Sequence, residues 1–202
     1  PVYVPVSGTY VTTPFVTTDL ARVNVETEVI NESGKTGEVA IETKIFDESG
    51  NIVSTKIAKA FLQFTKEYTF RQELEVQKPK LWNTENPNLY RVESTVYFED
   101  KIQDVYSTKI GIREISLSPE KGLLLNGEKV FAQGGDIHHD LGCVGAPALK
   151  SGYKYRLQKL KDMGCNSVRL SHNPHAKVLL DACDEMGILV IDEAYDKWTS
   201  QY

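Results

Sequence analysis

The sequence predicts a chain in two parts: an all-β sandwich followed by a segment of alternating strands and helices with parallel strands. Two observations carry this. From about Thr9 to Leu117 apolar residues recur at every second position. After Pro119 short apolar runs alternate with stretches where apolar residues recur every three or four positions.

The period-two half is clearest at Ala21–Ile30. Val23, Val25, Thr27 and Val29 fall on one side of the strand, and Arg22, Asn24, Glu26 and Glu28 on the other. Glu38–Phe46 repeats the pattern with Val39, Ile41, Thr43 and Ile45. Asn31-Glu-Ser-Gly34 and Asp47-Glu-Ser-Gly50-Asn51 punctuate these runs with turn chemistry. Further strands read at Tyr10–Thr17, Ile52–Ala58, Lys66–Val76, Leu89–Phe98 and Gln103–Ile112, which makes about seven. Seven short strands in about 100 residues fit an immunoglobulin-like sandwich. No cysteine lies in this half, so the inter-sheet disulfide of antibody domains is absent. Tyr90, at the start of a strand, suits a tyrosine corner.

In the second half Gly122–Gly127 reads as a hairpin ending in an Asn-Gly turn. Val130–Gln133, Ser167–Leu170 and Ile188–Ile191 read as buried strands. Tyr153–Met163 and Ala176–Met186 read as helices, each followed by a glycine suited to a left-handed cap, Gly164 and Gly187. This order implies parallel strands joined by right-handed crossovers.

Composition excludes several classes. A net charge of −5 with no Lys/Arg run argues against a nucleic-acid partner. No stretch approaches the roughly 20 apolar residues of a membrane span, so no membrane partner is expected. The three cysteines, Cys143, Cys165 and Cys183, are odd in number and form no C-x-x-C pair. They read as small buried residues rather than a disulfide scaffold or zinc ribbon. No signal pattern follows Pro1, so the start of the chain assigns no compartment.

The polar residues that could do chemistry gather in the second half. All four histidines lie there: His138, His139, His172 and His175. His138 follows the first βα strand, Arg169, Ser171 and His172 close the second, and Asp192 and Glu193 close the third. In parallel sheets and barrels these C-terminal ends share one rim, and that rim carries the active site. Polar residues also belong wherever buried chain meets solvent, which explains one such end better than three.

Asn166-Ser-Val-Arg-Leu-Ser-His-Asn-Pro174, followed by Asp184-Glu-Met-Gly-Ile-Leu-Val-Ile-Asp-Glu193, resembles the signature of family 2 glycoside hydrolases, the β-galactosidase family. Gly111-Ile-Arg113, Gly122-x-x-Leu-Asn-Gly127 and Gly134-x-x-x-His138 are similar to its motifs too. So is Trp82-x-x-Glu85-Asn86-Pro87-x-Leu89-Tyr90, the turn before the last strands of its sandwich. Asn173 and Leu170 depart from the residues more usual at their positions.

The resemblance implies a sandwich over 1–117 and, over 118–202, the first part of a (β/α)8 TIM barrel, incomplete at about three βα units. It implies a retaining glycosidase acting on β-linked sugars, with both catalytic carboxylates on later strands beyond Tyr202. His138, His172, Asp192, Glu193 and Trp198 would contact substrate, and Arg169 would orient the nucleophile. Arg169 could instead form a structural ion pair with Asp192 or Glu193, and the histidines could be packing residues, His139 and His175 above all. Some members place a magnesium-ligating Glu where this chain has Lys197. A cation cannot take that role, so no metal and no cofactor are expected.

Three parallel strands leave an open apolar edge, which favours self-association or a homo-oligomer. Competing readings are a β-glucuronidase or β-mannosidase, a non-catalytic module that binds carbohydrate or braces a neighbour, and a metal-dependent barrel hydrolase. The last usually carries His-x-His, whereas adjacent His138 and His139 point to opposite faces.

Overall fold

The structure is a computed structural model, and it describes residues 1–196. The chain forms two compact units. One contains Pro1–Leu81 and Leu89–Glu114, and the other contains Trp82–Asn88 and the described residues from Ile115 onward.

The first unit is a sandwich of β1 (Val2–Tyr3), β2 (Thr9–Val16), β3 (Leu20–Asn31), β4 (Gly37–Phe46), β5 (Ile52–Leu62), β6 (Glu67–Gln77), β7 (Tyr90–Phe98) and β8 (Lys101–Ile110). In one sheet β3 pairs with β1, β2 and β6, and the other sheet runs β5-β4-β7-β8. All of these pairings are antiparallel. The alternation in β3 points Val23, Val25 and Val29 inward, where they are fully buried.

Two apolar clusters join the sheets. Val29 and Phe70 meet Ile41 and Val96 in one, and Val23 and Leu74 meet Ile45 and Val92 in the other. Each such side chain contributes about 1.5–3 kcal/mol through burial. Between the clusters the Thr43 hydroxyl donates to Gln72 Oε1 at 2.6 Å and lies 3.2 Å from Ser94 Oγ. This satisfies a polar group that would otherwise be costly to bury. Asn31 ties the β3–β4 turn. Its Oδ1 accepts from the Ser33 amide and hydroxyl, and its Nδ2 donates to Lys35 O. Tyr90 opens β7, and its hydroxyl accepts from the Lys80 amide at 2.8 Å, the corner contact suggested by its position.

The second unit begins with an antiparallel ribbon of β9 (Ile115–Ser118), β10 (Gly122–Leu125) and β11 (Glu128–Lys129). Asn126 and Gly127 join β10 to β11 with φ of 53° and 82°. A two-residue type I′ turn requires positive φ at both positions, which Asn-Gly tolerates best. Then come β12 (Gly134–Ile137), α1 (Lys150–Asp162), β13 (Ser167–Leu170), α2 (Lys177–Met186) and β14 (Leu189–Asp192), with a parallel sheet ordered β12-β13-β14. Ile137, Val168 and Leu170 pack against Leu157, Leu179 and Ala182 of the helices. Cys183 is buried in the same cluster, and burial pushes its thiol up to about 12. Among the described residues no helix is long and apolar enough to cross a membrane.

Two elements differ from the sequence reading. The first parallel strand is Gly134–Ile137, not Val130–Gln133. Its Gly134-Gly135 start carries no apolar signal, yet glycine is required there. A Cβ on Gly134 would lie 1.7 Å from the Ser167 carbonyl oxygen of β13. Helix α1 starts three residues before Tyr153, because Lys150, Ser151 and Gly152 give its first turn no apolar face. A Cβ on Gly152 would come 2.7 Å from Leu141 Cδ1, the end of a flexible side chain that can give way.

Gly134→Ala is expected to lower the stability of the second unit by about 3 kcal/mol or more, because the backbone of β12 and β13 must separate. Gly135→Ala meets nothing within 4 Å and should change stability by less than about 1 kcal/mol. Urea unfolding of the two variants beside the parent chain measures this contrast.

Candidate functional site

The parallel register builds the site. Asp136 on β12 stands directly opposite Arg169 on β13, and Arg169 stands opposite Ile191 on β14. Side chains alternate across a strand. Val168 and Leu170 therefore face the helices, while Asp136, Arg169 and Ile191 share the other face. Glu193 is the first residue past β14.

These positions converge on one guanidinium group. Arg169 donates from Nε to Glu193 Oε1 at 2.9 Å, and its Nη2 also bonds Glu193. On the other side Nη1 donates to Asp136 Oδ2 at 2.9 Å. His172 Nδ1 lies 3.1 Å from Glu193 Oε2. The imidazoles of His138 and His172 meet edge to face, with centroids 5.4 Å apart. The Ser171–His172 peptide bond is cis.

The charges follow from these contacts. The hydrogen bonds from Arg169 hold the Glu193 carboxyl below its ordinary value; burial opposes this, and a smaller contribution from the His172 hydrogen bond adds to the lowering. Glu193 is therefore ionised at neutral pH and can only accept. The proton shared with His172 then sits on Nδ1, and in the neutral ring Nε2 keeps a lone pair. Arg169 is held above its usual value, first by Glu193 and then by Asp136.

The structure sorts the residues expected from sequence. His138, Arg169, His172 and Glu193 come together. Of the two acids that could pair with Arg169, Glu193 does so. Asp192 does not join them: it is level with Leu170 in the register, so alternation turns it to the opposite face from Arg169. Trp198 and Lys197 lie outside the described residues.

His139 and His175 form a separate pair, stacked at 3.7 Å. His175 is buried, which pushes its pKa down and keeps it neutral, and its Nε2 is 3.2 Å from Ser171 O. Asp136 is a member of the cluster that the sequence reading omits, because the apolar pattern sets the first parallel strand at Val130–Gln133, four residues before the observed Gly134–Ile137. The spacing Gly134-x-x-x-His138 was the available signal. Among the described residues no group of three or more His, Cys, Asp or Glu could hold a metal ion.

Both parts of the chain, the immunoglobulin-like sandwich and the parallel sheet whose strand ends carry this polar cluster, match known families. Residues 4–113 match the model of glycosyl hydrolases family 2, and residues 117–198 match the TIM barrel domain of glycosyl hydrolases family 2. The chain belongs to glycosyl hydrolase family 2.

Among its relatives, a β-galactosidase of Bacteroides ovatus is 41% identical over 198 residues, covering 98% of this chain and 23% of that protein. A β-glucuronidase of Streptococcus agalactiae is 31% identical over 166 residues, 82% of this chain and 25% of that protein. A solved family 2 structure from Bacteroides cellulosilyticus superposes with a TM-score of 0.92 at 41% identity, covering 98% of this chain and 27% of that one. The chain thus spans about a quarter of the length of these relatives.

The clamp predicts a titration. With its pKa depressed, the contribution of Glu193 is complete at neutral pH and is lost as pH falls through the depressed value. Arg169→Met removes the largest cause, so the Glu193 midpoint should rise towards the ordinary 4.5 or above. Carbon-detected NMR of the side-chain carboxyl reads this. An unchanged midpoint would place the cause elsewhere.

Proposed function

We propose that this chain is part of a retaining glycoside hydrolase that acts on terminal β-D-galactosides, and that it supplies part of the rim holding the sugar to be cleaved. The observation that carries this is the convergence of Arg169, His172 and Glu193 at the ends of parallel strands in a family 2 barrel domain. Retaining hydrolysis needs two carboxyl groups about 5–5.5 Å apart, one protonated to serve as general acid and one ionised as nucleophile. Glu193 is a poor acid, because Arg169 and His172 keep it ionised. Asp136 is committed to the same guanidinium group. In this reading the acid/base and the nucleophile come from later barrel strands of a longer enzyme, as the family resemblance implies.

The residues present bind and orient. The Glu193 carboxylate accepts from sugar hydroxyls, and the imidazoles of His138 and His172 offer ring nitrogens to others. Arg169 has five N–H donors, and three are used by Asp136 and Glu193. The remaining two can polarise the nucleophile and keep it ionised. Asp192 is left out of this set because it faces away.

The test is an aryl β-galactoside assay of the longer protein that contains this chain. Arg169→Ala and His172→Ala should each lower turnover by about 10²–10³-fold, the size expected for losing one preorganised donor. Near-normal kcat/KM in both variants would return these residues to a packing role. The 202-residue chain alone should show no turnover. Activity that survives purification and disappears in Glu193→Gln would overturn the role given to Glu193. The apolar edge of β14, with Ile191 57% exposed, should also make the isolated chain self-associate in sedimentation, and a strict monomer would contradict this.

A further inference from the structure

Two guanidinium groups stand near the C-terminal ends of β12 and β13, and carboxylates occupy both. Arg156 on α1 reaches Asp140 Oδ1 at 3.2 Å and the His138 carbonyl oxygen at 3.4 Å. The Gly142 amide and Arg156 hold Asp140 below its ordinary value, so it is ionised. Arg169 is held between Asp136 and Glu193. Among the carboxyl and guanidinium groups, three carboxylates face two guanidinium groups, a surplus of one acidic group.

Asp136 creates that surplus. Glu193 and Arg169 alone would make a balanced pair, with Nη1 of Arg169 open to an incoming anion. Asp136 fills that position from the neighbouring strand, on the same face and in register.

The consequence concerns the sugar. A uronic acid carries an ionised carboxylate at neutral pH and needs a cationic or N–H-rich partner. A neutral hexose presents only hydroxyls, which a carboxylate acceptor and two imidazoles can satisfy. We propose that Asp136 is a specificity-determining residue that sets this rim against uronic acids and in favour of neutral sugars, by taking an Nη1 donor of Arg169 and adding a third carboxylate beside two guanidinium groups. This rests on the reading of the rim as a sugar site. On this reading a third carboxylate beside Arg169 decides between a neutral and an acidic sugar.

The test uses the whole 202-residue chain, labelled with ¹⁵N and titrated with methyl β-D-galactopyranoside and with methyl β-D-glucuronide. Asp136→Asn keeps the size of the side chain and an oxygen that can still accept from Nη1, while removing the charge. In the parent chain the galactoside should shift the Arg169 Nε–H and His172 resonances, and the glucuronide should bind at least about tenfold more weakly. That is the scale of one partly screened unit charge at contact range.

In Asp136→Asn the preference should shrink on the order of tenfold. In the parent chain it should also shrink at high salt, because charge discrimination is screened and steric discrimination is not. A preference unchanged by both, or glucuronide binding as tight as galactoside binding in the parent chain, overturns the proposal. If Asp136→Asn does not fold, the salt series decides alone, and a salt-independent preference overturns it. If neither sugar moves any rim resonance, the reading of the rim as a sugar site fails, and the selectivity fails with it.

Discussion

The guanidinium group of Arg169 organises the polar face of the second unit. It reaches Asp136 on the strand before it and Glu193 past the strand after it, and Glu193 in turn holds His172. One side chain thus ties together three consecutive strand ends. Such a cluster is partly open to water, so its value lies less in stability than in orientation. It keeps a carboxylate ionised, fixes the tautomer of an imidazole, and leaves part of the guanidinium group pointing away from its two partners.

That arrangement depends on the backbone beneath it. Arg169 meets Asp136 because β12 and β13 run in parallel register, and they can approach so closely because Gly134 has no side chain. Behind the sheet, Leu157 and Leu179 cover Val168 and Leu170, so the apolar residues of β13 have only one face to occupy and Arg169 takes the other. Gly187 closes α2 with φ of 70° and lets the chain turn directly into β14. Its missing Cβ also makes room for the Thr84 carbonyl oxygen, 2.3 Å from where that atom would sit. Small residues set the spacing, apolar residues set the facing, and the charged residues are left at the rim.

Much of this was legible in the sequence, and the failures have physical causes. Strand β3 shows itself because one face is buried and the other wet, which writes the alternation of Val23, Val25 and Val29 into the chain. The Asn126-Gly127 turn shows itself because few residues accept two successive positive φ values. Ser167–Leu170 was readable because a short apolar run sits between a glycine-ended helix and the polar Ser-His. Strand β12 was displaced because two glycines and an aspartate carry no apolar pattern, and their reason for being there is a contact with β13, distant in sequence. Asp136 was lost with it. Arg169 and His172 were placed through the family resemblance of the 166–174 segment, whereas the choice between Asp192 and Glu193 required the register. Periodicity cannot decide which of two adjacent acids at a strand end turns inward.

The proposed function requires sugar to be held at the ends of the parallel strands and not on the sandwich. A crystal structure of the chain soaked in galactose tests it most directly. The account predicts a sugar at the strand ends, with ring hydroxyls within hydrogen-bond distance of Glu193 and of His138 or His172. Galactose bound on a face of the sandwich, with the Arg169 cluster unoccupied, would contradict it.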